Sequence, residues 1–170
     1  MINVLLFIPN KNFDQVGFSV LRNSAVQNRL NLFIVSDSNN IASGSRGMKI
    51  QPDVNYFNVN SVNFDGLIVI GCENGMENHR NSVLERIIKK FDLREKFIFT
   101  IKSGSVIFAN STKLKGEISS SEFCKKFYVR TGFSPVDSDI VSSGNIFSTR
   151  TDTAINDTLK MIFADRTNIK

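Results

Sequence analysis

The apolar residues of this chain fall into short continuous runs, and this pattern constrains the fold more than any other feature. The clearest runs span residues 2–8, 31–36, 64–71 and 96–101, and all are rich in branched and aromatic side chains. Continuous runs of this length are typical of strands that are buried on both faces of a sheet. Such a sheet needs helices packed on both of its sides.

The segments between these runs supply the helices. After Asp14, which can cap the helix as Asn12 also can, four apolar residues recur at helical spacing: Val16, Val20, Leu21 and Ala25. Further helices are predicted over residues 83–91, 104–110, 122–130 and 152–164, the last with Ala154, Ile155, Leu159, Met161 and Ile162 as its inner positions.

The remaining segments are polar or turn-like. Residues 37–63 predict a loop region with at most a small hairpin at 48–55, and residues 139–141 and 145–148 predict a strand pair joined by Ser143-Gly144. The opening β-α-β order implies a right-handed parallel crossover. The predicted fold class is therefore α/β, a flavodoxin-like three-layer sandwich with a central, mainly parallel sheet and helices on both faces.

Length and composition favour one ordinary globular domain covering residues 1–170. Hydrophobic residues make up 41% of the chain and charged residues 22%, and no linker or repeat divides it. The apolar runs are shorter than the roughly 18 residues that span a bilayer, and no basic leader precedes the first run, so we expect a cytoplasmic protein without membrane contact.

Charge and cysteine content exclude several other classes. The net charge is +5, but Lys89-Lys90 and Lys125-Lys126 have acidic neighbours in predicted helices, which indicates solvated helix faces and no nucleic-acid partner. Cys72 and Cys124 lack the spacing of a zinc site or a secreted disulfide framework. We therefore predict reduced thiols, no metal and no cofactor.

In open parallel sheets the chemistry lies at the carboxyl ends of the strands, which directs attention to three segments. These are "VLLFIPNKNFDQVGFS", "FDGLIVIGCENG" and "FIFTIKSGSVIFANSTKLKG". They resemble, in this order, three segments of the ThiJ/PfpI (DJ-one) superfamily: the first strand and helix, the strand that ends in a Gly-Gly loop, and the strand-elbow-helix that holds the nucleophile. "GMKIQPD" and "VSSGNIFSTRTDTAINDTLKMI" resemble the family's hairpin and its closing strands and helix.

The resemblance implies a class I glutamine amidotransferase-like fold with a cysteine at a strained turn, a glutamate beside it and often a histidine nearby. This chain departs from that pattern. Lys102 stands at the expected position of the cysteine, Ser103 at that of the histidine, Gly17 at that of the glutamate, and Gly71-Cys72 replaces the Gly-Gly loop. The resemblance therefore predicts a divergent member whose inherited thiolate chemistry is absent.

The expected ligand pocket comprises Gly17, Gly71, Cys72, Lys102, Ser103 and Gly104, with Lys102, Cys72 and Ser103 as candidate catalytic residues. A lysine here can form a Schiff base, hold an anion, or simply pair with Asp14 or Glu73. Main-chain donors around Gly104 can cradle an oxyanion.

Two cysteines and one histidine are further candidate reactive groups. Cys72 is either a substitute nucleophile or a small hydrophobe, and Cys124 lies beyond the elbow. His79, the only histidine, is either an exposed residue at a helix start or a base for Cys72.

Three functions remain open on this basis. The first is a non-catalytic or weakly active protein that binds a small polar or carbonyl ligand, or a partner protein. The alternative is a hydrolase or a glyoxalase- or deglycase-like enzyme of the protease I type that uses Cys72 or Lys102. A subunit with a purely structural role in an oligomer is the third, and a homo-oligomer is expected in each case.

Overall fold

The structure, a computed structural model, describes residues 1–73, 80–93 and 96–164. Its strands, in chain order, are β1 (Ile2–Ile8), β2 (Lys11–Phe13), β3 (Leu30–Ser36), β4 (Ala42–Gly44), β5 (Lys49–Ile50), β6 (Gly66–Ile70), β7 (Phe97–Ile101), β8 (Lys115–Ser119), β9 (Gly132–Val136), β10 (Ile140–Ser143) and β11 (Ile146–Thr149). Its α-helices are α1 (Gln15–Gln27), α2 (Ser82–Asp92), α3 (Gly104–Asn110) and α4 (Ile155–Ala164).

A six-stranded sheet with the order β10-β11-β7-β6-β1-β3 forms the centre of the molecule. All neighbours in it run parallel except β10, which pairs antiparallel with β11 at the edge. The sheet is thus mainly parallel, as predicted. The carboxyl ends of β1, β6, β7 and β11 consequently meet at one edge, where the loops that follow them lie close together.

Each face of the sheet carries its own hydrophobic core. Alternate residues of β1 point to opposite sides, so Leu5 and Phe7 pack with α2 and α3, whereas Leu6 and Ile8 pack with α1 and α4. This two-sided burial explains why the strand sequences read as continuous apolar runs. The predicted α/β fold class is confirmed.

The polar region after β3 differs from its prediction. The hairpin spans residues 42–50 and so begins before the predicted range of 48–55: β4 and β5 pair antiparallel. Strand β2, which the sequence pattern did not indicate, joins them in a three-stranded sheet. The turn falls at Gly47, whose φ of +91° lies in the left-handed region that favours glycine. The turn residue, and not the polar stretch around it, sets the position of the hairpin.

The segment after β8 also differs. Residues 122–130 do not form an α-helix; a 3₁₀ helix spans Glu122–Tyr128. The following strand β9 was missed because Pro135 weakens a strand pattern, yet β9 pairs only with β8, where a proline at a sheet edge is tolerated.

The two ends of the described chain follow their predictions more closely. Asp14 caps α1, and the β10–β11 pair forms around Gly144. The last helix begins at Ile155, later than predicted, and Met161 is 42% exposed while Phe163 is buried in its place. No described helix has the length and apolar character needed to cross a membrane.

Candidate functional site

Lys102 occupies the sharp turn between β7 and α3. Its φ is +52°, a left-handed conformation that residues other than glycine rarely adopt. The turn is fixed on both sides: the Lys102 N–H donates to the Thr149 carbonyl at 2.7 Å, and the Lys102 carbonyl accepts from the Ser105 N–H at 3.0 Å. The structure therefore has a strained elbow where the resemblance placed one, with a lysine at its tip.

The ammonium group of Lys102 lies between two carboxylates. Nζ is 2.8 Å from Asp14 Oδ2 and donates to Asp152 at 3.0 Å (Oδ1) and 3.2 Å (Oδ2). The Lys102 side chain is 25% exposed and the Asp14 side chain 1% exposed, so the first pair is largely removed from water. The pairing with Asp14 was predicted, whereas Glu73, the other partner considered, contacts Arg46 at 3.4 Å instead.

These neighbours determine the charge state of Lys102. Burial by itself would lower its pKa, but the hydrogen bonds and charges of Asp14 and Asp152 together outweigh burial and raise the pKa above its usual value. Lys102 is therefore protonated throughout the physiological range. A protonated amine cannot attack a carbonyl carbon.

Asp14 owes its position to the start of α1. Its N–H donates to the Gly71 carbonyl at 2.8 Å, and Oδ1 caps the helix by accepting from the Gly17 N–H at 3.1 Å. These two bonds aim Oδ2 at the elbow.

Gly17 lies directly beside Asp14. A Cβ on Gly17 would lie 2.5 Å from Asp14 Oδ2, so Asp14 already fills the space beside this residue. The acid next to the elbow is supplied by Asp14, and a glycine at position 17 does not leave the site without a carboxylate.

Gly71 and Gly104 bring two main-chain segments into close contact. A Cβ on Gly104 would lie 2.3 Å from the Val69 carbonyl oxygen, and one on Gly71 would lie 2.7 Å from the Gly104 nitrogen. Both glycines are thus required by the packing of the elbow against β6. The oxyanion cradle suggested for this region stays a prediction.

Cys72 lies just after β6. It is 5% exposed, and its thiol points to the Lys11 carbonyl oxygen at 3.6 Å. The Ser103 hydroxyl donates to the Cys72 carbonyl, which ties the two segments together. Position, burial and contacts are those of a small core residue.

A cavity of about 180 Å³ opens beside the elbow. Its lining residues are Glu73, Lys102, Ser103, Ser120, Ser121, Phe123, Cys124, Tyr128 and Arg150. Of the six residues predicted for the pocket, Lys102 and Ser103 line this cavity; Gly17, Gly71, Cys72 and Gly104 are not among its described lining residues.

Several site residues were missed by sequence reasoning. Asp152 follows the carboxyl end of β11, so the strand-end rule could have included it. Arg150 follows β11 directly, so the same rule applies to it, whereas Cys124 and Tyr128 reach the cavity through the packing of the 3₁₀ helix, for which the sequence carries no signal.

Tyr128 is the most deeply buried aromatic residue of the cavity wall. It is 3% exposed, and its hydroxyl makes no hydrogen bond with suitable geometry. Burial raises the pKa of this phenol, the nearby Cys124 adds to the rise, and the hydroxyls of Ser120 and Ser105 oppose it. The hydroxyl therefore stays protonated and can act as a donor.

Arg150 forms a charged part of the wall. Its Nε donates to Asp139 Oδ1 at 2.9 Å, and Nη1 contacts Asp137. These hydrogen bonds and charges raise the pKa of Arg150. Like Lys102, this cation already has two carboxylate partners.

No group of three or more His, Cys, Asp or Glu side chains that could hold a metal ion occurs among residues 1–73, 80–93 and 96–164. His79, considered as a base for Cys72, lies outside the described residues.

Comparison with protein families gives a match between residues 2–164 and the model of the DJ-1/PfpI family. The chain belongs to this family. A search of curated proteins found no match.

Solved structures of the DJ-1/PfpI family share the whole fold. A ThiJ/PfpI domain protein from Brachyspira murdochii superposes with a TM-score of 0.85 at 19% identity, covering 99% of this chain and 98% of its own. Drosophila melanogaster DJ-1beta gives 0.80 at 16% identity over 96% and 89%. Schizosaccharomyces pombe DJ-1 gives 0.78 at 13% identity over 96% and 91%. At these identities the likeness establishes the fold alone.

Proposed function

We propose that this DJ-1/PfpI-family protein binds a small polar ligand in the elbow cavity and has no nucleophilic chemistry at the elbow. The observation that carries the proposal is the ammonium group of Lys102, held between Asp14 and Asp152 at the strained turn. The turn keeps its shape and its carboxylate neighbour, while the reactive group is replaced by a neutralised cation.

The electrostatic surroundings of Lys102 argue against an enzyme that uses this lysine as a nucleophile. A Schiff-base lysine needs a neutral amine, which proteins obtain by burial or by a second cation nearby. Lys102 has the opposite surroundings, because two carboxylates favour its charged form. Deprotonation would also leave Asp14, which is 1% exposed, as a buried anion without a counter-ion.

The burial and position of Cys72 argue against an enzyme that uses it as a nucleophile. A nucleophile must reach the substrate, and Cys72 is buried with its thiol on the Lys11 carbonyl, outside the set of described residues that line the cavity. Reactive cysteines occur in electropositive, partly exposed surroundings. Association into a homo-oligomer or with a partner protein and a cytoplasmic location remain predictions.

The test is consumption of methylglyoxal by the purified protein and by Lys102→Cys, with Lys102→Ala as the matched control that removes the ammonium group without adding a thiol. Because Asp14 already supplies the carboxylate, no change at Gly17 is needed. We expect the natural protein and Lys102→Ala to match the buffer rate and Lys102→Cys to exceed it. Turnover by the natural protein that Cys72→Ser or Lys102→Ala abolishes would overturn the proposal.

A further inference from the structure

A second groove, of about 630 Å³, lies beside the carboxyl end of α2. Lys90 and Leu93 line it on the helix side, and residues 59–61, from the loop before β6, line it on the other. Among the described residues it shares no lining residue with the elbow cavity. We call it the α2 groove and treat it as a site separate from the elbow.

Two lysine side chains hold the loop side of the α2 groove in place. Lys90 Nζ donates to the Val59 carbonyl at 2.6 Å, and Lys96 Nζ donates to the carbonyls of Ser61 and Phe64. Val59 and Ser61 are themselves buried. The main chain of the loop is thus fixed against α2, and the groove has its shape before anything binds in it.

The helix side of the α2 groove is positively charged. Because each helical residue is rotated by about 100° from the one before, Arg86, Lys90 and Leu93 share one side of α2. The acidic residues of the helix, Glu85 and Asp92, fall together about a third of a turn away. Within the described part of the chain neither Arg86 nor Lys90 forms an ion pair. Their charges are therefore available to an anionic partner.

Exposed apolar side chains flank these two cations. Phe57 is 63% exposed, and the Arg86 guanidinium lies 5.9 Å from the centre of its ring. Leu93, at the other end, is 84% exposed. The order along the surface is thus apolar, positive, positive, apolar, and the stretch from Arg86 to Leu93 is about 10 Å long. Exposed apolar groups beside charged ones are typical of sites that bind other proteins.

We propose that the α2 groove binds an extended, acidic segment of a partner protein in which apolar residues flank two carboxylates. The carboxylates pair with Arg86 and Lys90, and the apolar residues cover Phe57 and Leu93. Alternate side chains of an extended segment lie about 6.6 Å apart on one face, close to the roughly 5–6 Å between helix residues four apart. Two carboxylates separated by one residue therefore reach both cations. The site goes beyond the proposed function, since it does not involve the elbow.

The test is the fluorescence anisotropy of a fluorescein-labelled synthetic peptide titrated with the natural protein. The peptide has two glutamates separated by one serine, with a leucine two positions outside each glutamate. We expect saturable binding that weakens as the salt concentration rises, because exposed charges are screened by salt. One control peptide has lysines in place of the glutamates, and another has serines in place of the leucines. Each control should bind at least about tenfold more weakly.

Variants of exposed residues locate the binding site without disturbing the core. Arg86→Gln and Leu93→Ser should each weaken binding of the peptide about three- to tenfold. Arg22→Gln and Val26→Ser are the matched controls, because they change an exposed cation and an exposed apolar residue of α1, which packs on the opposite face of the sheet. These two changes should leave the affinity as it is, and so should Lys102→Cys in the elbow.

The outcomes separate this site from the elbow. Binding of the acidic peptide that Arg86→Gln and Leu93→Ser weaken, and that the two changes in α1 do not, would support the proposal. Equal effects of all four changes, or equal binding of the lysine peptide, would overturn it. Absence of peptide binding would also overturn it, and binding of phosphatidylserine vesicles in its place would identify a lipid-binding surface. The methylglyoxal assay tests the elbow alone and is independent of each of these results.

Discussion

Lys102 Nζ and Asp14 Oδ2 lie 2.8 Å apart, and this ion pair joins the turn after β7 to the start of α1. The two residues lie in segments that follow different strands of the sheet, since β7 and β1 are separated by β6. The pair therefore serves as a link across the carboxyl edge of the sheet as well as a determinant of the chemistry of the elbow.

Removal of the buried Lys102–Asp14 ion pair should reduce the stability of the protein more than removal of the Lys102–Asp152 pair. Asp14→Asn keeps a good capping residue but removes the charge that faces Lys102, and we expect it to lower the free energy of unfolding by about 2 kcal/mol. Asp152→Asn should cost about 1 kcal/mol or less, because that side chain is 31% exposed and its pair is screened by water. Urea unfolding of both variants provides the measurement. Equal losses would show that burial does not set the strength of these pairs.

The raised pKa of Lys102 predicts how stability depends on pH. A lysine whose folded-state pKa exceeds its unfolded value binds its proton more tightly when folded, so its contribution is complete below the unfolded pKa of about 10.4. That contribution is lost as pH rises through the higher folded pKa. The natural protein should thus lose stability on the alkaline side more steeply than Lys102→Arg, whose guanidinium does not titrate there.

The measurement is the unfolding midpoint in urea from neutral pH to strongly alkaline pH for both proteins. Other lysines titrate alike in the two chains and cancel in the difference. Parallel curves would contradict the assignment of a raised pKa to Lys102.

The order of strands and helices was predictable from the sequence because burial of a strand restricts which residue types it can contain. Strands of a sheet covered on both faces must be apolar on both sides, and β1, β6 and β7 consist of such residues. The 3₁₀ helix at Glu122–Tyr128 and the edge strand β9 have weaker sequence patterns, because exposed and half-buried segments permit many residue types.

The candidate site was predictable only in part. The strand-end rule indicated the segment that contains Lys102, and the resemblance gave its place in the elbow. Helix capping predicted Asp14 at the start of α1, and Asp14 was one of two partners expected for Lys102. Tyr128 lies on the 3₁₀ helix, whose position depends on packing across the molecule, so its approach to the elbow could not be read from spacing. Arg150 follows β11 directly and was overlooked at the end of that strand. The carboxylate beside the elbow comes from Asp14, three residues before Gly17, the position at which the resemblance expected a glutamate.

Gly104 should tolerate no side chain. A Cβ there would lie 2.3 Å from the Val69 carbonyl oxygen, and β6 cannot move away because it is paired on both sides within the sheet. We expect Gly104→Ala to lower the free energy of unfolding by about 3 kcal/mol. Gly17→Ala should cost less, because its nearest contact is the side chain of Asp14 and alanine favours a helix. Thermal unfolding of the two variants would test this order, and the reverse order would contradict it.

The two thiols should differ in reactivity in the native protein. Cys72 is 5% exposed with its thiol on the Lys11 carbonyl, whereas Cys124 is half-buried on the wall of the elbow cavity. Alkylation requires access of the reagent to sulfur, so iodoacetamide should modify Cys124 at least about tenfold faster than Cys72. Mass spectrometry of peptides from a time course measures both rates in one sample, and the same reaction in guanidinium, where both thiols are exposed, serves as the control. Faster modification of Cys72 would show a reactive thiol at the carboxyl end of β6 and would support the alternative of an enzyme that uses Cys72.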